Sequence, residues 1–310
     1  MKILVTGGAG FIGSHVVDGF IEAGHDVVVV DNLSTGKQEN INPKARFYEL
    51  DIRDPDLKRI FEEEKPDFVD HHAAQISVPV SVKDPIIDGE INALGFLNLL
   101  NCCRDHEVKK VIFISSGGAI YGEAEEYPTS ENYKPQPLSP YAIHKLIAEY
   151  YLAFYHHQYD LDYTILRYAN VYGPRQIPHG EAGVVSIFIT NLLNGIRSSL
   201  YAFPEEPDGM IRDYVFVKDI VLANLQALFK GSLDYINIGT RCETTTGKLY
   251  REISNLMGKT VEPIQAGARP GDIRRSCLNV AKAEKVLGWK SEVSLQEGLK
   301  KTIEFFINKT

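Results

Sequence analysis

The sequence predicts an α/β protein, a doubly wound parallel sheet covered on both faces, with a second, smaller α/β unit beside it. Three observations predict it. Across the first half of the chain, short continuous apolar runs alternate with helical stretches, the pattern of strands buried on both faces. A glycine-rich turn, Gly7-Gly8-Ala9-Gly10-Phe11-Ile12-Gly13, lies where the first run passes into the first helix. After Pro174 the alternation weakens, and turn-rich acidic sequence such as 203–210 (FPEEPDGM) takes over.

The elements follow in order. Ile3–Val5 reads as a buried strand and Ser14–Ala23 as a helix. Val27–Val30 and Phe47–Leu50 are the next strands, and Asp56–Glu64 is a helix. Phe68–Asp70 is a fourth strand, followed by one long helix over Asp84–Asp105. Val111–Ser115 is a fifth strand, a helix begins at Pro140, and Tyr163–Arg167 is a sixth strand. Beyond Pro174, Val184–Leu193 reads as a helix. Tyr214–Val217 and Tyr235–Ile238 are strands around a helix at Ile220–Phe229. Helices near Lys248–Met257 and Leu295–Ile307 flank a loop at Pro270-Gly271. The expected division is 1–173 plus 213–238 for the sheet unit, and 174–212 plus 239–310 for the smaller one, with a cleft between them.

Composition narrows the class. With 310 residues, 44% hydrophobic and 24% charged, the chain has the make-up of a globular protein and not of a disordered or collagen-like one. A net charge of −8 makes it a poor non-specific partner for nucleic acid or an anionic membrane. No apolar stretch approaches the ~20 residues of a membrane helix, and the opening Ile3–Val5 run is too short for a signal-peptide core. The 4 cysteines (Cys102, Cys103, Cys242, Cys277) show no Cys-x-x-Cys or Cys/His metal spacing. Reduced thiols in a cytoplasm, and no metal, are expected.

The glycine turn points to a dinucleotide. Gly7 permits the tight turn, Gly10 lets backbone approach a pyrophosphate, and Gly13 lets helix pack on strand. The helix N-terminus then offers free N–H groups and the positive end of its dipole. Asp31 ends the second strand, where a carboxylate can accept both hydroxyls of an adenosine ribose. No arginine stands beside it to receive a 2′-phosphate, so NAD is expected rather than NADP. Asp51-Ile52, ending the third strand, lies within reach of an adenine edge.

Tyr141 and Lys145 stand four apart and therefore share one helix face. A free phenol has a pKa near ~10 and is a poor base at neutral pH, but a neighbouring ammonium favours phenolate. Such a tyrosine can take a proton from an alcohol as hydride leaves for NAD. Ser115 and Ser116, ending the fifth strand, offer hydroxyls for the same substrate oxygen.

The glycine turn, the Ser-Ser strand end, the Tyr-x-x-x-Lys pair and 167–174 (RYANVYGP) together resemble the extended short-chain dehydrogenase/reductase family over almost the whole chain. Within it, the chain is most similar to the UDP-hexose 4-epimerases, through 31–36 (DNLSTG), 72–75 (HAAQ), 183–185 (GVV), 212–214 (RDY) and 269–272 (RPGD). The resemblance implies a Rossmann fold, tightly bound NAD, a UDP-sugar substrate and a homodimer. It implies that Phe11, Ile12, Asn32, Ser34, Thr35, Gly36, Ala73, Ala74, Gln75 and Asn92 join the glycines in holding the cofactor, with Tyr168 on the nicotinamide side. Tyr141 would be the base, Lys145 its tuner and ribose anchor, and Ser116 the hydroxyl on O4 of the sugar. Asn170 would hold the diphosphate, beside Gly183, Val184 and Val185. Arg212 and Arg269 would clamp pyrophosphate and ribose, Asp272 would bind the ribose, and Tyr201 would pack on uracil.

Two departures from the family pattern matter. Counting back from Tyr121 places Gly117 at the usual hydroxyl position, and a one-residue glycine insertion assigns Ser116 instead. Ser276 stands where relatives restricted to plain hexoses carry a bulky tyrosine, which implies room for UDP-N-acetylhexosamines. The alternatives are a sugar-nucleotide 4,6-dehydratase or a UDP-glucuronate decarboxylase, against which Gly117-Gly118-Ala119 offers no carboxylate. A non-catalytic NAD-binding module is set against the intact Tyr141 and Lys145.

Overall fold

The computed structural model describes residues 1–178, 183–269 and 271–309. β1 (Lys2–Thr6) runs through the glycine turn into α1 (Phe11–Glu22). β2 (Asp26–Asp31), β3 (Arg46–Glu49), α2 (Leu57–Glu64) and β4 (Phe68–His71) follow. Next come α3 (Val78–Lys83), α4 (Pro85–Gly89), a π-helical segment over 90–95, and α5 (Phe96–Asp105). β5 (Lys110–Ser116), α6 (Gly117–Ile120), α7 (Pro140–Tyr159) and β6 (Asp162–Tyr168) succeed them. The remainder is β7 (Asn170–Tyr172), α8 (Val184–Leu193), β8 (Ser199–Ala202), β9 (Ile211–Phe216), α9 (Val217–Ala227) and β10 (Asp234–Ile238), then β11 (Glu243–Thr245), α10 (Thr246–Met257), β12 (Ile264–Gly267), α11 (Ala281–Leu287) and α12 (Leu295–Lys309).

Seven strands form one all-parallel sheet in the order β10-β6-β5-β4-β1-β2-β3. The chain builds outward from β1 in one direction and from β4 in the other. The switch point, where ligands of open α/β sheets bind, therefore lies at the C-terminal ends of β1 and β4. β1 shows why its apolar run is continuous: Ile3 and Val5 pack into one buried layer with Val16, Val17 and Phe20 of α1, while Leu4 packs into the opposite layer with Leu57, Phe61 and Leu99. A third core, including Phe188, Ile189, Leu249, Ile253 and Leu299, lies under two small sheets, β11-β9-β7 and β12-β8.

Local signals set the helix starts. Asp84 accepts from Ile87 N–H at 3.1 Å and Ser139 from Ala142 N–H at 3.3 Å, each with proline in the first turn that follows. The single helix expected over Asp84–Asp105 is instead two α segments joined by the π segment. The strand expected at Tyr214–Val217 is β9, which pairs with β7 and β11, whereas β10 joins the edge of the main sheet. Ile220 and Ala223 of α9 pack into the α1 layer of the main core. Among the described residues no helix is long and apolar enough to cross a membrane.

Candidate active site

At the switch point a cavity of about 520 Å³ opens over the glycine turn. Gly7 has φ +70°, and a Cβ there would lie 2.6 Å from the backbone nitrogen of Ala73. A Cβ on Gly13 would lie 2.3 Å from the carbonyl oxygen of Gly7, and one on Gly10 3.1 Å from the same atom. Only glycines let the turn close this tightly. The first turn of α1 holds no acidic side chain, leaving its positive end free for an anion. Asp31 is buried: Oδ2 accepts from Ala9 N–H at 3.0 Å and Oδ1 from Leu33 N–H at 2.8 Å, while burial raises its pKa. Phe11, Ile12, Asn32, Ser34, Thr35, Asp51, Ile52, Ala73, Ala74, Gln75, Ser115, Lys145 and Tyr168 line the same cavity. This set of glycines, helix end and ribose-side carboxylate fits NAD. Among the described residues no cluster of three metal-ligating side chains occurs.

A second cavity of about 510 Å³ adjoins it, and Ser116, Tyr141 and Asn170 line both. Tyr141 and Ser116 stand together at this junction; burial, the dominant influence, pushes the phenol up to about 12, and the neighbouring Ser116 hydroxyl works in the opposite direction. Lys145 is buried, donates from Nζ to the Ile114 carbonyl at 2.8 Å, and is pushed down to about 8 by that burial. The sequence-based expectation of a phenol lowered by the ammonium is not met: burial dominates, and Lys145 is not among the groups that shift it. Ser115 turns away, its Oγ donating to Glu149 at 2.6 Å.

Gly183, Val184, Tyr201, Arg212, Arg269 and Asp272 line the second cavity. Arg212 donates from Nη1 to the Ile211 carbonyl at 2.8 Å, and burial lowers its pKa, so an anionic ligand would be welcome beside it. Arg269 holds Asp272 through Nε and Nη2, both at 3.1 Å, and its guanidinium lies 4.4 Å over the Tyr201 ring. Asp213 anchors this wall from behind, accepting from Thr240 N–H at 2.8 Å, Thr240 Oγ at 2.6 Å, Arg241 N–H at 3.2 Å and Leu278 N–H at 3.3 Å.

Four residues from the sequence reading lie behind the cavity walls. Asn92 is buried and grips the backbone of Gln75. Gly36 brackets Asp31, with its Cβ position 2.8 Å from Oδ1. Val185 is part of the third core. Ser276 is buried, its Oγ 3.9 Å from the Cβ position of Gly118. Gly117 packs under Leu278, and a Cβ there would lie 2.6 Å from Leu278 Cδ1. Pro270 of the 269–272 motif lies outside the described residues. Sequence reasoning missed Asp88 and His144, which meet at 2.5 Å beside Tyr141 and Lys145. The only signal was that both fall inside segments already singled out.

The model of the NAD dependent epimerase/dehydratase family matches residues 3–239. A UDP-glucose 4-epimerase of Mycolicibacterium smegmatis is 46% identical over 317 residues, covering 100% of both chains. The crystal structure of a UDP-glucose 4-epimerase of Thermotoga maritima with UDP-glucose is 50% identical, with a TM-score of 0.96 over 100% of this chain and 99% of that one. That of a Thermus thermophilus UDP-glucose 4-epimerase in complex with NAD is 46% identical, with a TM-score of 0.96 over 100% of both chains.

Proposed function

This chain belongs to the NAD dependent epimerase/dehydratase family, and from that premise we propose that it is an isomerase of the UDP-glucose 4-epimerase type, inverting C4 of a UDP-hexose with NAD held permanently. The observation that carries the proposal is that Tyr141 and Ser116 both line the junction of two adjoining cavities, one suited to a dinucleotide and the other walled by Arg212 and Arg269. NAD, when bound in the first cavity, supplies the acceptor and then the donor of the C4 hydrogen. Tyr141 Oη takes the proton of the sugar 4-OH and later returns it. Ser116 Oγ holds O4 throughout. Lys145 keeps a positive charge on the Tyr141 face of α7 and anchors the ribose. Arg212 and Arg269 grip the diphosphate, remote from the chemistry, so that the 4-keto sugar turns over in the cleft without leaving it.

The same reading assigns 1–173 plus 213–238 to the cofactor unit, which the place of β10 in the main sheet supports, and 174–212 plus 239–310 to the sugar unit. Small, buried Ser276 supports acceptance of N-acetylhexosamines. An apolar face on α4, the π segment and α7, with Ile86 74%, Leu94 61% and Tyr150 69% exposed, supports a homodimer in which this face meets its copy. The four free thiols support a cytoplasmic location. Incubating the purified protein with UDP-galactose and, separately, UDP-N-acetylgalactosamine, without added NAD, tests the activity. Formation of the matching gluco epimers is expected. Conversion of neither sinks the epimerase reading, and conversion of UDP-galactose alone sinks the Ser276 inference.

A further inference from the structure

Between Tyr141 and Lys145 the helix α7 carries His144, which the mechanism above does not use. Its Nδ1 lies 2.5 Å from Oδ2 of Asp88, a fully buried carboxylate on α4. The other oxygen, Oδ1, accepts from Gln75 Nε2 at 2.6 Å and from Asn92 Nδ2 at 3.1 Å. Asn92 in turn accepts from Gln75 N–H at 3.0 Å and donates to the Gln75 carbonyl at 2.9 Å. One carboxylate thus ties together the catalytic helix, α4, the π segment and the loop after β4, which forms part of the cofactor wall. The packing is built around the imidazole: a Cβ on Gly89 would lie only 3.2 Å from His144 Nε2, so a side chain there would crowd the ring. The π segment that begins immediately after Gly89 carries Asn92, and such segments are frequent at functional sites. A buried carboxylate is tolerated only when its oxygens are satisfied, and His144 is the partner of Oδ2.

We propose that Asp88 and His144 form a positioning pair that fixes the register of the Tyr141 helix against the Gln75 loop, so that the phenol and the cofactor wall are held as one unit. The inference rests on the epimerase reading. The charged and titratable groups around Asp88 are His144, Tyr141 and Lys145 of α7, with Glu149 one turn beyond facing Lys145. Lys83 at the end of α3 is exposed, and Glu90 turns toward Arg53 at 3.6 Å. The negative charge of Asp88 raises both Tyr141 and Lys145.

The test uses the full-length protein and three variants, His144→Ala, His144→Asn and Asp88→Asn. Asparagine at 144 keeps a donor close to the Nδ1 position. In H144A, kcat for UDP-galactose should fall at least about tenfold while KM stays within about threefold, and H144N should recover to within about threefold of wild type. D88N removes the charge and keeps an oxygen acceptor for Gln75 and Asn92. With that charge gone both Tyr141 and Lys145 titrate lower, and the profile of kcat/KM against pH moves to lower pH. Independently of turnover, amide hydrogen exchange in 73–77 should rise in H144A and return to wild-type protection in H144N. An unchanged kcat in H144A overturns the proposal, as does equal impairment of H144A and H144N. Wild-type protein that converts neither UDP-sugar brings down the epimerase reading instead, and hydrogen exchange then decides the pair alone: unchanged protection in H144A refutes it.

Discussion

Replacing Gly13 by alanine probes the cofactor cradle at one atom. The new Cβ would lie 2.3 Å from the carbonyl oxygen of Gly7 and 3.1 Å from Cα of Gly8, both backbone atoms that cannot swing aside. Ordinary contact begins at 3.4 Å, so the turn and the first turn of α1 must part by roughly 1 Å. Overpacking of this kind costs ~1–3 kcal/mol, and the better helix propensity of alanine returns up to ~1 kcal/mol. The fold should therefore survive with a modest loss of stability. Cofactor binding should not, because a ~1 Å displacement of a positioned group costs on the order of a hundredfold, or ~3 kcal/mol in affinity. The assay is calorimetric titration of NAD into the apoprotein of wild type, G13A and a control, Gly267→Ala, whose Cβ position has nothing within 4 Å. G13A should bind about a hundredfold more weakly, and the control as wild type does. A dissociation constant for G13A within threefold of wild type would refute the claim that this contact shapes the dinucleotide site.

Three further outcomes follow from the same geometry. Tyr141→Phe removes the proposed base and should lower kcat by ~10²–10⁴ with the sugar nucleotide still bound, measured by turnover and by equilibrium binding of UDP. Lys145, pushed down to about 8, carries its charge below that pH and sheds it above. Activity should therefore decline as pH rises past about 8, and a profile flat to pH 10 would remove the ammonium from the mechanism. Asp213→Ala leaves that fully buried site without the acceptor for the donors of Thr240 and Arg241 and for the buried N–H of Leu278. The folded state should lose ~3 kcal/mol or more, read as a lower urea midpoint at unchanged slope.

The sheet was legible because each of its inner strands is a short apolar run buried on both faces, as Ile3, Leu4 and Val5 are. In the small unit the helices were legible, as Val184–Leu193 was, but most of its strands were not. β7, β8, β11 and β12 are three or four residues long, too short for a period of two to register, and their partners lie far off in sequence, as Tyr201 pairs with Ala266. α3 is hard to see in the sequence because Val78, Val80 and Val82 alternate with a period of two, although Ser77 caps it and Pro79 stands in its first turn. In the site, the glycines, Asp31, Tyr141 and Lys145 were readable because their chemistry fixes their spacing. The Ser116 assignment turns on Ser116 lining both cavities with Tyr141 and on Gly117 lying under Leu278, and neither is visible in a string of letters. The burial that raises Tyr141 and the contact of Asp88 with His144 likewise exist only once α4 and α7 are packed together.

The central claim is that a hydrogen leaves C4 of the sugar and returns to the same carbon within one active site, with Tyr141 moving only the hydroxyl proton. Incubating UDP-galactose deuterated at C4 in ordinary water, without added NAD, and reading the product by mass spectrometry and NMR tests this directly. The account requires UDP-glucose that keeps its deuterium at C4. Product with C4 deuterium exchanged for solvent hydrogen would show that the carbon is inverted through a proton taken up from water, and would contradict it.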